Sequence, residues 1–294
     1  MHAMHTLSPA DYRSVISIFE PMRHHLAIAA IVNGAVPARL IVDHPTHPRA
    51  ALAWTQHHFY LAGSPENHEF NQAMGRLFSD TIYPQALAAG DAMFTLYYAP
   101  DTWSNSVEET ILRDKLPIKM RRQYYRLKEK RVDWRALLPV DFELRPVDAA
   151  LLENMRLRHL DALREETCSE RPSVQDFLEK SFGVCIVHGD ELAGWCLSEY
   201  NTPDSCEIGI ETREPYRRRG FATLMTAALV EEAEARGIAH VGWHCWASNR
   251  PSAKTALKAG FELVADYPVY MAWFDEVVNL AAHSNWSQPD PQSP

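Results

Sequence analysis

The 294 residues suffice for two ordinary domains, and a chain that is 46% hydrophobic and 23% charged has a globular composition. A formal net charge of −9 argues against a general nucleic-acid binder, and no apolar run nears the roughly 20 residues that span a bilayer. Residues 1–12 lack the basic-then-apolar order of a signal peptide, so the sequence predicts a cytoplasmic protein with neither membrane nor nucleic acid as partner.

In chain order, residues 51–61 (ALAWTQHHFYL) read as strands. Residues 66–78 read as a helix, because Phe70, Ala73, Met74, Leu77 and Phe78 recur at i, i+3, i+4, i+7 and i+8. Residues 92–99 (AMFTLYYA) read as a buried aromatic strand. Ser106-Val-Glu-Glu109 is a capping-box pattern that opens a short helix. Residues 116–127 alternate apolar and basic, as an exposed strand does. The basic stretch 119–135 reads as a solvated strand and linker, with an anionic contact as its other reading. A boundary is predicted near Pro139, giving an N-terminal domain over residues 1–138, a second domain over residues 139–283 and a disordered Pro- and Ser-rich tail 284–294.

In the second domain, 142–147 reads as a strand, 148–164 as one helix and Val174–Lys180 as a short helix. Strands 184–187 and 192–200 flank the turn His188-Gly-Asp-Glu191. Strand 206–212 leads to a helix over 221–236, closed by Gly237. His240–Trp246 reads as a strand, 249–258 as a helix capped by Asn249, and 267–274 as a last strand. Cys168, Cys185, Cys196, Cys206 and Cys245 lack CxxC spacing and read as buried small hydrophobes. The pairs His24-His25 and His57-His58 point to different faces of any regular element, so no metal site is predicted.

The sharpest feature is the run Glu207-Ile-Gly-Ile-Glu-Thr-Arg-Glu-Pro-Tyr-Arg-Arg-Arg-Gly-Phe-Ala-Thr223: a strand, a basic turn with Gly220, then a helix. The first amides of such a helix lack intrahelical partners and sit at its positive end, where a phosphate binds. Gly220 permits close approach of a ligand, Ala222 keeps that approach open, and Arg217, Arg218 and Arg219 add positive charge.

Arg217-x-x-Gly220-x-Ala222 resembles the pyrophosphate loop of the GNAT acetyltransferase superfamily, and Asn249, Ser252 and Gly260-Phe261 resemble its next conserved segment. The string from His244 through Asn249 to Phe261 is similar to a narrower subfamily of two-domain proteins that includes zwittermicin-resistance-type acetyltransferases. The resemblance runs from about residue 142 to 274. The strand–helix–strand order over residues 92–127 mimics the order after Trp243, so the smaller N-terminal α/β domain reads as a degenerate GNAT-like copy; it lacks an Arg-x-x-Gly-x-Ala loop and is expected to bind no CoA and to shape the acceptor site. The resemblance implies an α/β fold with a mixed sheet and a C-terminal GNAT domain. It implies acetyl-CoA as co-substrate. The amides of Arg218, Arg219, Gly220, Phe221, Ala222 and Thr223, with Arg217, would hold the diphosphate. The strand edge at Ile210, Glu211 and Thr212 would pair with the pantetheine arm, and Asn249 and Ser252 would meet it from the next helix. Where many members carry a tyrosine that protonates the leaving thiolate, this chain has Ala256, so Ser252, Tyr267 and Tyr270 are the candidate proton donors, or the thiolate leaves with the help of water.

The implied reaction is acetylation of a primary amine of a small molecule by direct attack in a ternary complex. An ammonium near pKa 10 must lose a proton first, so a base is needed. Glu207, Gly209 and Glu211 share one strand face; Glu207 is the preferred base and Glu211 the second choice. A strand amide near residues 210–212 would meet the oxyanion. Trp195, Tyr200, Trp243, Trp246, Tyr267 and Tyr270 read as core or as walls of a substrate pocket. A non-catalytic acyl-CoA sensor is the alternative. An ATP site ranks last, because the loop lacks Gly-x-x-x-x-Gly-Lys-(Ser/Thr). The acceptor, the acyl-chain length and the oligomeric state, a homodimer included, stay open.

Overall fold

Two parallel strand pairs, each joined by helices, organise the chain in this computed structural model, which describes residues 3–286 (backbone alone for 284–286). The N-terminal half contains β1 (His5–Thr6), a 3-10 stretch Pro9–Met22, α1 (Leu26–Val32), β2 (Arg39–Val42), β3 (Ala50–Thr55), β4 (His58–Gly63), α2 (His68–Leu77), α3 (Tyr83–Ala89), β5 (Met93–Ala99), α4 (Trp103–Ser106) and β6 (Ile118–Leu127). There follow α5 (Trp134–Leu137), β7 (Glu143–Pro146), α6 (Ala149–Leu152), α7 (Leu160–Thr167), α8 (Val174–Lys180), β8 (Gly183–His188), β9 (Glu191–Glu199) and β10 (Ser205–Thr212). The chain then forms α9 (Phe221–Ala235), β11 (His240–Trp246), α10 (Arg250–Ala259), β12 (Phe261–Trp273) and α11 (Glu276–Trp286).

Contacts gather these elements into two units: residues up to Arg121 with those from Tyr267 onward, and Arg122–Asp266. In the first unit the strand order is β1-β2-β3-β4-β5, and residues 269–273 of β12 pair antiparallel with β5. In the second it is β7-β8-β9-β10-β11, and residues 122–126 of β6 pair antiparallel with β11. Each unit thus repeats one plan: antiparallel strands, one parallel pair with a helical crossover, and a closing antiparallel strand. The parallel pairs are β4–β5, crossed by α2 and α3, and β10–β11, crossed by α9. The predicted boundary near Pro139 lies inside the second unit, where Val132, Trp134 and Leu138 pack on its core.

Local sequence explains the helices that matter. Asn67 caps α2 by accepting from the Phe70 amide, and Phe70, Ala73 and Met74 turn inward. α9 buries Phe221, Leu224, Met225, Ala228, Leu229 and Ala233 in the core of the second unit, as expected of a helix apolar on nearly every side. Gly260 ends α10 at φ +100; a Cβ there would collide with the Glu129 carbonyl oxygen, so only glycine fits.

The structure corrects several expectations. Residues 148–164 form α6 and α7 with a turn between them. Leu151 and Leu160 are nine residues apart, about half a turn out of phase at about 100° per residue, and the break lets both be buried. Asn154 Oδ1 accepts from the Arg156 amide at 3.1 Å, a local bond that competes with helix. Ser106 does not cap a helix; it ends α4, which starts at the buried Trp103, and its hydroxyl accepts from Asn71. The final strand is longer than predicted, beginning at Phe261. Residues 284–286 continue α11, and the rest of the predicted disordered tail lies outside the described residues.

Candidate active site

β10 stays paired with β9 along its length, from Glu207↔Glu199 to Thr212↔Gly194. Its parallel pairing with β11 stops after three pairs, the last being Glu207↔Gly242. β11 remains on β6 as far as Trp246↔Arg122. Beyond Glu207, therefore, the two strands separate, and the β10 edge over residues 208–212 has no ladder partner among the described residues. Backbone groups along such an edge need a partner from elsewhere.

The gap opens into a cleft of about 820 Å³. Ile210, Glu211 and Thr212 line its β10 side, and Asn249, Ser252, Lys254, Thr255 and Lys258 line its α10 side. Arg217, Arg218, Gly220, Phe221, Ala222 and Thr223 form the third wall. The Thr212 hydroxyl oxygen is buried with no hydrogen-bond partner among the described residues, which suits an incoming polar group.

The third wall is a helix start. Gly220 takes φ +86 at the N-cap of α9, and a Cβ there would meet nothing within 4 Å among the described residues. The first intrahelical bond is Leu224 N–H to the Gly220 carbonyl, so the amides of Phe221, Ala222 and Thr223 have no carbonyl inside the helix. Arg217 folds back, donating to the Thr212 carbonyl at 2.9 Å and to Glu211 Oε1 at 3.1 Å. Arg219 is not among the lining residues; its guanidinium lies over the Phe142 and Phe221 rings. Arg218, at φ +62, stays exposed on the cleft rim.

On α10, Asn249 Oδ1 accepts from the Ser252 amide at 3.1 Å, which leaves the Asn249 amide group as a donor. Ser252 Oγ accepts from Trp243 Nε1 at 3.1 Å. Ala256 is fully buried in the helix core. Lys254 and Lys258 escaped the sequence reading; their i, i+4 spacing on a helix facing the Gly220 loop was the available signal.

A second group of side chains, Glu207 among them, lies off the cleft lining. Glu207 is 6% exposed, and its Oε1 lies 3.2 Å from His244 Nε2. The His244 ring packs on Tyr124 at 4.7 Å between centroids. Burial, then the Glu207 charge, pushes the Tyr124 hydroxyl up to about 12, against the opposing pull of Arg126. Burial, reinforced by Glu170, Glu166 and Glu207, holds the Glu199 carboxyl well above the usual carboxylate range. Glu199 fits because it leans over Gly209, where a Cβ would collide with its Oε1.

Of the aromatic residues, Trp243 contributes to the cleft lining, while Trp195 belongs to a satellite core with Leu151 and Leu163. Tyr267 and Tyr270 belong to the first unit. Tyr270 is 1% exposed, its hydroxyl hydrogen-bonds Glu108, and burial with that bond pushes it upward. Tyr270 is therefore absent from the cleft lining, since β12 carries it into that unit's core. All five cysteines are free thiols, and no group of three or more His, Cys, Asp or Glu among the described residues could hold a metal ion. None of the described helices is long and apolar enough to cross a membrane.

A strand pair that splays beside an uncapped helix start defines an acyltransferase type of fold, and comparison with known proteins agrees. A family model described as GNAT acetyltransferase matches residues 17–270, and the chain belongs to that family. It is similar to the uncharacterized N-acetyltransferase YdfB of Bacillus subtilis, 26% identical over 92% of this chain and 99% of that protein. Among solved structures it is similar to a GCN5-related N-acetyltransferase-like protein from Streptococcus suis, with TM-score 0.66 and 23% identity over 90% and 98% of the two chains. A tandem GNAT protein from the clavulanic acid biosynthesis pathway shares the fold, with TM-score 0.56 and 11% identity over 92% and 98%.

Proposed function

We propose that this acetyltransferase moves an acetyl group from acetyl-CoA to a primary amine of a small molecule, by direct attack in a ternary complex. The observation that carries this reading is the separation of β10 from β11 beyond Glu207↔Gly242, next to the amides of Phe221, Ala222 and Thr223. An extended pantetheine amide chain suits the unpaired edge at 210–212, and a diphosphate suits the helix start. Lys254 and Lys258 complement the phosphates from the facing helix. An oxyanion would be met by an amide near Ile210. Glu207 serves as base, and Glu199 faces it from β9 with a carboxyl that burial holds high. Ser252, one of several hydroxyl-bearing residues on the cleft lining, is assigned to protonate the leaving thiolate.

The first unit holds no CoA on this reading. Its parallel strands β4 and β5 stay paired over five positions, His58↔Thr95 to Ala62↔Ala99, and do not splay as β10 and β11 do. We assign the protein to the cytoplasm and, within its family, to the two-domain zwittermicin-resistance-like subset, on the string from His244 to Phe261.

A second reading, a non-catalytic acyl-CoA sensor, draws on the buried Ala256, which supplies no hydroxyl where many members have tyrosine. Two measurements separate the readings. Acetyl-CoA, but not ATP, is expected to raise the Tm, and amine panels are expected to release free CoA. Tight acetyl-CoA binding with no turnover on any amine would favour the sensor. Absence of acetyl-CoA binding would end both.

A further inference from the structure

Glu207 does not stand alone. Glu207 is paired with Gly242 at the last rung before β10 and β11 separate, and His244 is the next residue of β11 on the same face. His244 Nε2 and Glu207 Oε1 are 3.2 Å apart, with only 10% and 8% of the two side chains exposed. On β6, Tyr124 is the register partner of His244 and lies against its ring. Gly242 makes the arrangement possible. A Cβ there would sit 2.8 Å from Tyr124 Cε2 and 3.2 Å from Glu207 Cγ, so any larger residue would push the three groups apart.

We infer that His244 is a positioning residue for Glu207, and that the two act as one proton-accepting pair at the point where the strands divide. The inference rests on the amine-acetylation reading above. A carboxylate only accepts hydrogen bonds, so the imidazole carries a proton on Nε2 and donates it to Glu207 Oε1; this assignment follows from the hydrogen-bond partner. That bond fixes the orientation of the carboxylate. It also gives Glu207 a donor that Glu199, facing it from β9 with its carboxyl held high by burial, is not shown to share. The charged and titratable groups around the pair are Glu199 on β9, with Glu166 and Glu170 acting on it, and Tyr124, Arg122 and Arg126 on β6.

The balance is R–NH3⁺ + CH3CO–S–CoA → R–NH–COCH3 + HS–CoA + H⁺. The pair takes the first ammonium proton. The nitrogen lone pair forms the C–N bond as the C–S bond breaks, and the C–S electron pair leaves on sulfur. Of the two protons lost by nitrogen, one ends on the thiol and the other passes through the pair to solvent.

The test compares His244→Ala, His244→Gln, Glu207→Gln and the Glu207→Gln/His244→Ala double variant, in kcat, KM and acetyl-CoA affinity across pH 5.5–9.5. His244→Ala is expected to lower kcat about 10–100-fold, less than the roughly 10²–10⁴-fold of a base that itself takes the proton, with acetyl-CoA affinity unchanged and the acidic limb of the pH profile displaced. His244→Gln, which keeps a donor, is expected to recover some of the loss. The double variant is expected to match Glu207→Gln alone, since members of one unit are not additive. Wild-type kcat and pH profile in His244→Ala, or losses that multiply in the double variant, would overturn the pair. The pair is also read without substrate by NMR of the imidazole. The Nε2–H tautomer is expected in the wild type, with the imidazole nitrogen resonances displaced in Glu207→Gln; an imidazole indifferent to Glu207→Gln overturns the inference. Failure of acetyl-CoA binding in the wild type would instead strike the acetyltransferase reading, with the NMR result still deciding the pair.

Discussion

Glu199 and Glu207 face each other directly across the antiparallel strands β9 and β10, on the same side of the sheet. Two opposed carboxylates destabilise the strand pair if both are charged. The structure divides the burden: His244 serves Glu207, while burial and neighbouring carboxylates keep the Glu199 carboxyl high.

That division has a signature in stability. A carboxyl whose folded pKa exceeds its unfolded value, near 4.3, binds more protons folded than unfolded between the two values. The stability it contributes is present below the unfolded pKa and is lost as pH rises through the folded one. Glu199→Gln removes that loss. The Tm advantage of the variant is therefore expected to grow from pH 5 to pH 8, by about 2–4 °C per kcal/mol. A variant whose Tm tracks the wild type at every pH would show that Glu199 is ionised without cost.

Gly220→Glu places a carboxylate at the helix start. Open space around the Gly220 Cβ position means that the substitution meets no packed atom among the described residues, and its cost is the strain of φ +86, about 1–2 kcal/mol. Acetyl-CoA affinity is expected to fall about 100-fold or more, equivalent to about 2.8 kcal/mol, while circular dichroism shows a folded protein. Titration calorimetry with unchanged affinity would remove the diphosphate from this corner.

Lys254→Ala and Lys258→Ala each remove one exposed cation from the α10 wall. Acetyl-CoA affinity is expected to weaken about 2–5-fold per lysine, and the difference is expected to shrink in high salt, where exposed charges are screened. Loss that is independent of salt would point to packing instead.

Glu207→Gln is expected to reduce kcat about 10²–10⁴-fold with little change in acetyl-CoA affinity. The deficit is expected to be greater at pH 6 than at pH 9, because more of the amine is already neutral at high pH and needs no base. Equal rates for variant and wild type across pH would leave Glu207 without a proton to move.

The strand–turn–helix around Gly220 was legible in the sequence because its determinants are local. A left-handed residue, a helix that starts at once and an apolar helix surface lie within residues 207–235 and need no distant partner. The same holds for α10, whose cap, Pro251 and Gly260 are neighbours in the chain. Tyr270 shows the limit of such reading. Alternation identified a strand of aromatics but not the element it would pair with, and the pairing with β5 carries it into the first unit.

By itself, then, the sequence determined the order of elements, the loop that marks the family and the carboxylates along β10. Tertiary structure alone decided where the β10–β11 ladder stops, that residues 122–126 close one unit and 269–273 the other, and that His244 meets a carboxylate 37 residues away. The physical reason is register. Side-chain periodicity tells which residues share a strand face, but the partner strand and the rung where pairing ends follow from the packing of the whole sheet.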